Sequence, residues 1–136
     1  ITRLIDMGIA PFLVASTVQG VLAQRLVRRI CADCRVTDNA TDEERAFLGA
    51  PEIGQLIHSN GCDKCHGSGF FGRVGIYELL TISDTIRQLI VGKTSASAIR
   101  AQAAKEGMRG LRDDGCAKIR EGLTTLPEVL RVITEE

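Results

Sequence analysis

The 136-residue chain lacks tryptophan and is poor in other aromatic residues, with one tyrosine and four phenylalanines. Base-stacking platforms for single-stranded nucleic acid are therefore not expected. The chain also lacks an excess of either charge, because 17 lysines and arginines balance 17 acidic residues. This balance argues against general nucleic-acid binding and against a polybasic membrane contact. We expect no nucleic-acid partner.

Long hydrophobic runs are absent as well, and the longest apolar stretch is far too short to cross a bilayer. No charged segment followed by an apolar segment opens the chain, so an export signal is not expected. The first residue is Ile1 rather than an initiator methionine, and residues 1–7 resemble the end of an amphipathic helix that Gly8 could cap. We therefore expect the chain to be a fragment of a larger protein.

Cysteine is scarce but patterned. Four of the five cysteines form two C-x-x-C pairs, Cys31 with Cys34 and Cys62 with Cys65, and 27 residues separate the pairs. Each pair can present two thiolates to one ion, and together they supply the tetrahedral four-sulfur shell that zinc prefers. A shell filled by protein ligands leaves no open position, so the pattern predicts one structural zinc per chain.

Other uses of these cysteines stay open at this stage. An iron cluster, rubredoxin-like iron or two disulfides would also fit four cysteines, although nothing in the sequence suggests export. His66 could replace one thiolate, but four cysteines already fill the shell, so we interpret His66 and His58 as neighbouring or solvent-facing residues. The fifth cysteine, Cys116, lies in a helical pattern and is expected to be a small buried apolar residue.

Hydrophobic periodicity predicts a mixed α+β fold. A strand over Val21–Arg28 is expected to pair antiparallel with a second strand over Arg73–Leu80. Helices are expected at Pro11–Thr17 and, after the second strand, in four successive segments. The last four are capped or opened by Ser83, Ser95, Leu111 and the Thr125–Glu128 capping box. Arg28 and Arg29 are expected to be solvated.

The segment between the two cysteine pairs predicts a small folded insert. Thr41 and Glu44 form a capping-box pattern, and the helix that they begin should end at Leu48 with Gly49 in the C′ position. The insert has too few large side chains to bury a sufficient core by itself. We therefore expect the metal to hold the insert together.

One short motif resembles a nucleotide-binding sequence without meeting its full pattern. Gly92-Lys93-Thr94 resembles the end of a phosphate-binding P-loop, but the full pattern needs a glycine five residues earlier, where Arg87 stands. The triplet also follows a helical pattern rather than a strand. It is interpreted as a turn between helices.

The order of motifs along the chain is more specific than any one of them. RLIDMGIAPFLVAS precedes GVLAQRLVRRIC-x-x-C, and the second C-x-x-C is followed by x-GSGFFGRVGIYELL, then by EGMRGLRDDG and EGLTTLPEVLRV. Over nearly its whole length the chain resembles the C-terminal part of the hexameric ATPases of type II secretion and type IV pilus assembly, the GspE/PilB family. Its tail and its four cysteines are more similar to the type II secretion members.

The resemblance implies a division of the chain and a set of partners. Residues 1–30 and 71–136 would be the C-terminal part of a RecA-like ATPase domain, with its helices and antiparallel strand pair, and 31–70 an inserted zinc module. The motifs that bind ATP and magnesium would precede Ile1, so the fragment alone is expected to be inactive. The implied partners are the protein's own N-terminal ATPase core, neighbouring subunits of a homohexamer and inner-membrane secretion platform proteins, with a cytoplasmic location at the membrane.

The resemblance also implies roles for two residues. The family arginine of the G-R-x-G-I-x-E run corresponds to Arg73 and its acidic partner to Glu78. Arg73 would lie near nucleotide or at a subunit interface, while a plain ion pair with Glu78 is the simpler role.

Two other functions compete with the resemblance. A free-standing zinc-ribbon module is disfavoured by the neutral charge, and an enzyme using Cys116 or a zinc-bound water is disfavoured by the filled sulfur shell.

Overall fold

The computed structural model describes residues 1–133, and within that range it has the predicted mixed α+β composition. The elements are α1 (Thr2–Asp6), α2 (Pro11–Thr17), β1 (Gly20–Ile30), β2 (Arg35–Asn39), α3 (Asp42–Leu48), β3 (Gln55–Ser59), a 3₁₀ turn (Asp63–Cys65), β4 (Phe70–Thr81), α4 (Asp84–Val91), α5 (Ala96–Lys105), α6 (Leu111–Arg120) and α7 (Leu126–Ile133). No helix in the described range is long and apolar enough to span a bilayer.

Strands β1 and β4 pair with each other, as predicted. The N–H of Cys31, just after β1, donates to the carbonyl of Gly69 (2.9 Å). The N–H of Ile82, just after β4, donates to the carbonyl of Gln19 (3.1 Å). One end of β1 therefore meets the opposite end of β4, and the two strands run antiparallel.

The chain divides into two compact units, and the first comprises residues 1–23 and 78–110. Its core lies among α2, α4 and α5, where Ile86 and Ile90 are fully buried. The hydroxyls of Ser83 and Ser95 accept hydrogen bonds from the N–H groups of Ile86 and Ala98, so both predicted serine caps are confirmed.

The second unit comprises residues 24–77 and 111–136. Its helix α3 begins and ends as predicted: Thr41 and Glu44 complete both halves of the capping box, and Gly49 adopts the left-handed conformation with φ of 60°. A sheet that the sequence did not predict pairs β2 with β3 antiparallel, with Arg35 opposite Ser59 and Asn39 opposite Gln55.

The insert between the cysteine pairs does not rely on a core of its own. Its buried residues Leu48 and Leu56 belong to the same apolar cluster as Ile119 and Leu126 from α6 and α7. The arginines of α6 strengthen this contact, because Arg120 donates to the carbonyl of Leu48 (2.7 Å) at the end of α3. The insert lacks a core of its own, as expected, and any metal would share the task of holding it with the contacts to α6 and α7. The assignment of 31–70 to a separate module, and of 1–30 and 71–136 to an ATPase domain, stays a prediction.

Candidate metal centre

Both cysteine pairs lie where strands end. Cys31 follows β1 directly, and Cys34 immediately precedes β2. Cys62 lies shortly after β3 and opens the 3₁₀ turn that ends at Cys65. Each C-x-x-C segment therefore forms a tight turn at a strand end, and its two sulfurs project from one small loop.

Glycine makes the second turn possible. Gly61 has φ of 84°, and a Cβ there would lie 2.6 Å from the carbonyl oxygen of Gly67. Gly67 itself has φ of 74°. A side chain at Gly61 would meet rigid backbone, so only glycine fits this close approach. The geometry thus explains why a glycine immediately precedes Cys62.

The four predicted sulfurs come together. The Sγ atoms of Cys31 and Cys62 lie 3.8 Å apart, as do those of Cys34 and Cys65, and those of Cys62 and Cys65 lie 3.7 Å apart. All four Sγ atoms lie within 4.8 Å of one another, so the cluster could hold a metal ion. The cysteines are free thiols, since a disulfide would require sulfurs about 2.05 Å apart.

The spacing of the sulfurs fits a tetrahedral ion. A zinc–sulfur bond of about 2.3 Å in a regular tetrahedron places neighbouring sulfurs about 3.8 Å apart. The three distances given above match this value. They include one sulfur pair within a C-x-x-C segment and two pairs between segments, so the agreement extends beyond local loop geometry.

Backbone amides support an ionised sulfur at Cys65. Its Sγ accepts from the N–H groups of Cys62 (3.2 Å) and Gly69 (3.3 Å). Desolvation by burial opposes ionisation, but these donors prevail and lower the pKa of Cys65 to about 6. At Cys34, desolvation and the neighbouring sulfurs raise the pKa to about 12. Since metals bind thiolates, the amides aimed at Cys65 prepare one ligand, and a bound cation would have to displace protons from others.

The other candidate ligands lie elsewhere. Nε2 of His58 contacts Oε1 of Glu44 (2.8 Å), and the exposed His66 occupies the left-handed position that ends the 3₁₀ turn. Cys116 is buried on α6, its Sγ 3.9 Å from the carbonyl oxygen of Phe47. Burial raises the pKa of Cys116 despite nearby arginines, which suits an inert thiol.

Arg73 lies near the start of β4 with an exposed side chain. Within residues 1–133 it has no ion-pair partner. Glu78, the partner that the sequence suggested, instead lies 3.8 Å from Nη2 of Arg100. Glu78 therefore pairs with another arginine, and no residue of the described part of the chain takes its place beside Arg73.

The Gly92-Lys93-Thr94 triplet follows the C-terminal end of α4. The N–H groups of Lys93 and Thr94 donate to the carbonyls of Ile90 and Leu89 (both 3.0 Å), closing the last turn of that helix. A phosphate cradle instead presents unbonded N–H groups at the start of a helix. The prediction of a turn between helices is correct.

Some contacts near the sulfurs were missed by sequence reasoning. Lys64 and Asp33, which occupy the third position of the two C-x-x-C segments, form an ion pair with Nζ 2.9 Å from Oδ2. Arg28 is exposed, as expected, and its guanidinium also pairs with the buried Glu128 at 2.7 Å. Opposite charges at equivalent positions of the two segments could have signalled the first pair, whereas nothing local signalled the second.

Comparison with known proteins decides the family. Residues 1–131 match the family described as "Type II/IV secretion system protein". The chain belongs to this family. It is 47% identical over its whole length to the type II secretion system protein E of Pseudomonas aeruginosa, covering 27% of that protein. It is 42% identical over 99% of its length to the type II secretion system ATPase E of Vibrio cholerae, again covering 27%.

Type IV pilus assembly ATPases are about as similar to the chain as the type II secretion proteins are. The type IV pilus assembly ATPase PilB of Thermus thermophilus is 44% identical over 96% of the chain, which covers 15% of that protein. The chain thus spans about a quarter of the type II relatives and less of this pilus relative. The predicted resemblance to the secretion and pilus ATPases is confirmed, and identity alone separates the two systems poorly.

Proposed function

We propose that the chain is the C-terminal, zinc-containing portion of an ATPase that powers type II secretion by assembling a pseudopilus. The observation that carries the proposal is similarity along the whole chain to type II secretion ATPases, combined with a four-sulfur cluster of tetrahedral dimensions. The same portion of a type IV pilus assembly ATPase is the second candidate, supported by 44% identity to PilB.

In this proposal the metal is one structural zinc held by Cys31, Cys34, Cys62 and Cys65. Zinc bound by four thiolates has no open coordination position, so it would supply folding energy rather than a reaction site. Iron, or a free-standing zinc-ribbon module, remains a competing interpretation. The neutral charge of the chain supports a protein partner over a nucleic acid.

The chemistry of ATP hydrolysis would belong to the rest of the polypeptide. ATP and magnesium would bind an N-terminal core of RecA-like fold, and the present chain would complete that domain within a homohexamer. We place the assembled motor in the cytoplasm at the inner membrane, against platform proteins. The exposed Arg73, which has no ion-pair partner among residues 1–133, would lie near nucleotide or at the boundary between neighbouring subunits.

A segment exchange tests the proposal and separates the two systems. The matching region of the Pseudomonas aeruginosa type II secretion system protein E is replaced by this chain, and secretion is measured in a strain that lacks the native protein. A parallel exchange is made into the pilus ATPase PilB, with pilus assembly as the readout. We expect the first chimera to restore secretion and the second to restore few pili. Restoration of pili alone would favour the pilus assignment, and failure of both would overturn the family role.

A further inference from the structure

The two C-x-x-C segments carry opposite charges at their third positions, and these charges meet. Nζ of Lys64 lies 2.9 Å from Oδ2 and 3.1 Å from Oδ1 of Asp33, so one ammonium contacts both carboxylate oxygens. The ion pair connects two segments that are 31 residues apart in sequence. Both side chains are half-exposed, at 49% each.

The lysine has a second contact. Its Nζ lies 5.7 Å from the centre of the Phe71 ring, on β4 just after the second turn. Phe71 is itself exposed, so the ring does not belong to a core and is free to hold the ammonium. This contact restricts the orientation of the Lys64 side chain and keeps its charge directed at Asp33.

The two turns lie at the ends of paired strands, β1 with β4 and β2 with β3, and a backbone hydrogen bond lies beside the cluster at each sheet. On one side, the N–H of Cys31 donates to the carbonyl of Gly69 (2.9 Å), and on the other, the N–H of Asn60 donates to the carbonyl of Cys34 (3.2 Å). Two of the three sulfur distances given above also join one segment to the other. The dimensions of the cluster therefore depend on how closely the two turns stay together.

We propose that Asp33 and Lys64 are positioning residues that clasp the two turns and slow the release of the bound metal. The proposal rests on the metal centre proposed above, and it concerns the rate of metal loss rather than the identity of the metal. To leave the site, an ion must lose the sulfurs of both turns, and separation of the turns removes two of them at once. An ion pair across that gap opposes the separation, and Phe71 keeps the ammonium in place.

Because Asp33 and Lys64 are half-exposed, their ion pair can change the rate of metal release only modestly. Half-exposed ion pairs contribute little because water and salt screen them, and the measured range of about 0.2–1 kcal/mol corresponds to a change of about 1.4- to 5-fold. We therefore expect the loss of either charge to accelerate metal release by about 1.4- to 5-fold. The difference in release rate between the variants and the original chain should narrow as the ionic strength rises, because salt screens the ion pair.

The test measures zinc transfer from the loaded chain to an excess of chromophoric chelator. Lys64→Met keeps the apolar stem and removes the charge, and Asp33→Asn keeps the shape of the carboxylate. Each should accelerate release, and the double variant should be no faster than either single one, because both remove the same interaction. Lys64→Arg should restore slow release. Lys105→Met, which removes an exposed lysine from the end of α5, is the matched control and should release zinc at the original rate.

Charge reversal distinguishes a direct ion pair between the two turns from a general electrostatic effect of either charge on the metal. In the doubly reversed chain, Asp33→Lys with Lys64→Asp, the pair is kept while its polarity changes, so the clasp predicts slow release. Additive effects of the two single variants, or fast release from the reversed chain, would overturn the clasp. Metal content is measured first: an original chain that binds no zinc would overturn the metal centre itself, whereas a zinc-loaded chain whose variants release zinc at the original rate would overturn the clasp alone.

Discussion

Arg28 and Glu128 lie 100 residues apart in sequence, yet Nη2 of Arg28 contacts Oε1 of Glu128 at 2.7 Å. The other carboxylate oxygen accepts from the backbone N–H of Arg28 (2.9 Å) and from Nη2 of Arg131 (3.1 Å). Glu128 is 3% exposed, so a buried carboxylate joins β1 to α7 through three donors. Removing it would leave the backbone N–H of Arg28 without this acceptor, whereas both guanidinium groups are half-exposed.

We predict that this carboxylate makes stability depend on pH. Desolvation opposes its ionisation, but the donors from Arg28 and Arg131 lower the pKa of Glu128 to about 2. Because the folded-state pKa lies below the unfolded value, the contribution is present above the unfolded pKa and is lost as pH falls toward 2.

Glu128→Gln should therefore lower the free energy of unfolding by about 1–3 kcal/mol at pH 7, measured by chemical denaturation. The gap between the original and variant chains should close between about pH 5 and pH 2. Glu121→Gln, at an exposed position after α6, serves as the control and should change stability little. A gap that stays constant down to pH 2 would show that the ion pair does not carry the effect.

We predict that the insert and the C-terminal helices of the second unit unfold together. Gly122 has φ of 68°, and a Cβ there would lie 2.6 Å from Cγ1 of Ile57 on β3. Gly122→Ala should therefore strain the backbone and press on β3, destabilising both segments by an amount typical of core overpacking, about 1–3 kcal/mol.

Hydrogen exchange provides the readout, since it reports each segment separately. In Gly122→Ala, amides of β3 and of α6 should lose protection in parallel. Gly107→Ala is the matched control for a left-handed glycine, because it has φ of 91° in the first unit and no atom within 4 Å of its Cβ position. Loss of protection confined to α6 would contradict a shared core.

We predict that the chain alone does not bind ATP. The only Gly-Lys-Thr sequence follows the end of α4, where its N–H groups are already bonded. Titration calorimetry with magnesium ATP should give no saturable heat. Micromolar binding that Lys93→Ala abolishes would contradict our assignment of this triplet as a turn.

We predict that Arg73 acts on turnover rather than on stability. An exposed arginine without an ion-pair partner in residues 1–133 costs little to remove, whereas an arginine placed against a transferring phosphoryl group can change the rate by about 10³–10⁵. In a full-length secretion ATPase carrying this chain, Arg73→Ala should lower ATP turnover more than tenfold with unchanged zinc content and melting temperature. If the turnover of the variant stays within a factor of two of that of the unsubstituted ATPase, Arg73 has no catalytic role. Partial rescue by Arg73→Lys would indicate that charge matters more than the planar fork.

Local signals predicted much of this fold. The Thr41–Glu44 capping box, the serine caps and the two C-x-x-C turns each depend on residues within a few positions of one another, so sequence spacing was sufficient. The β2–β3 sheet was missed because Arg35–Asn39 is polar and mostly exposed and has no apolar alternation to mark it. Arg28 is solvated as predicted, but its ion pair was missed because the partner is a glutamate on a distant helix. The same distance in sequence hid the apolar cluster that Leu56 shares with Ile119.

The metal centre is tested most directly by the metal content of the chain, purified without chelator. Elemental mass spectrometry should find one zinc per chain, and X-ray absorption at the zinc edge should find four sulfurs at about 2.3 Å. Cys62→Ser should lose most of the metal, while Cys116→Ser should keep it. A chain that carries no metal, or iron in place of zinc, or two disulfides among Cys31, Cys34, Cys62 and Cys65, would contradict the account.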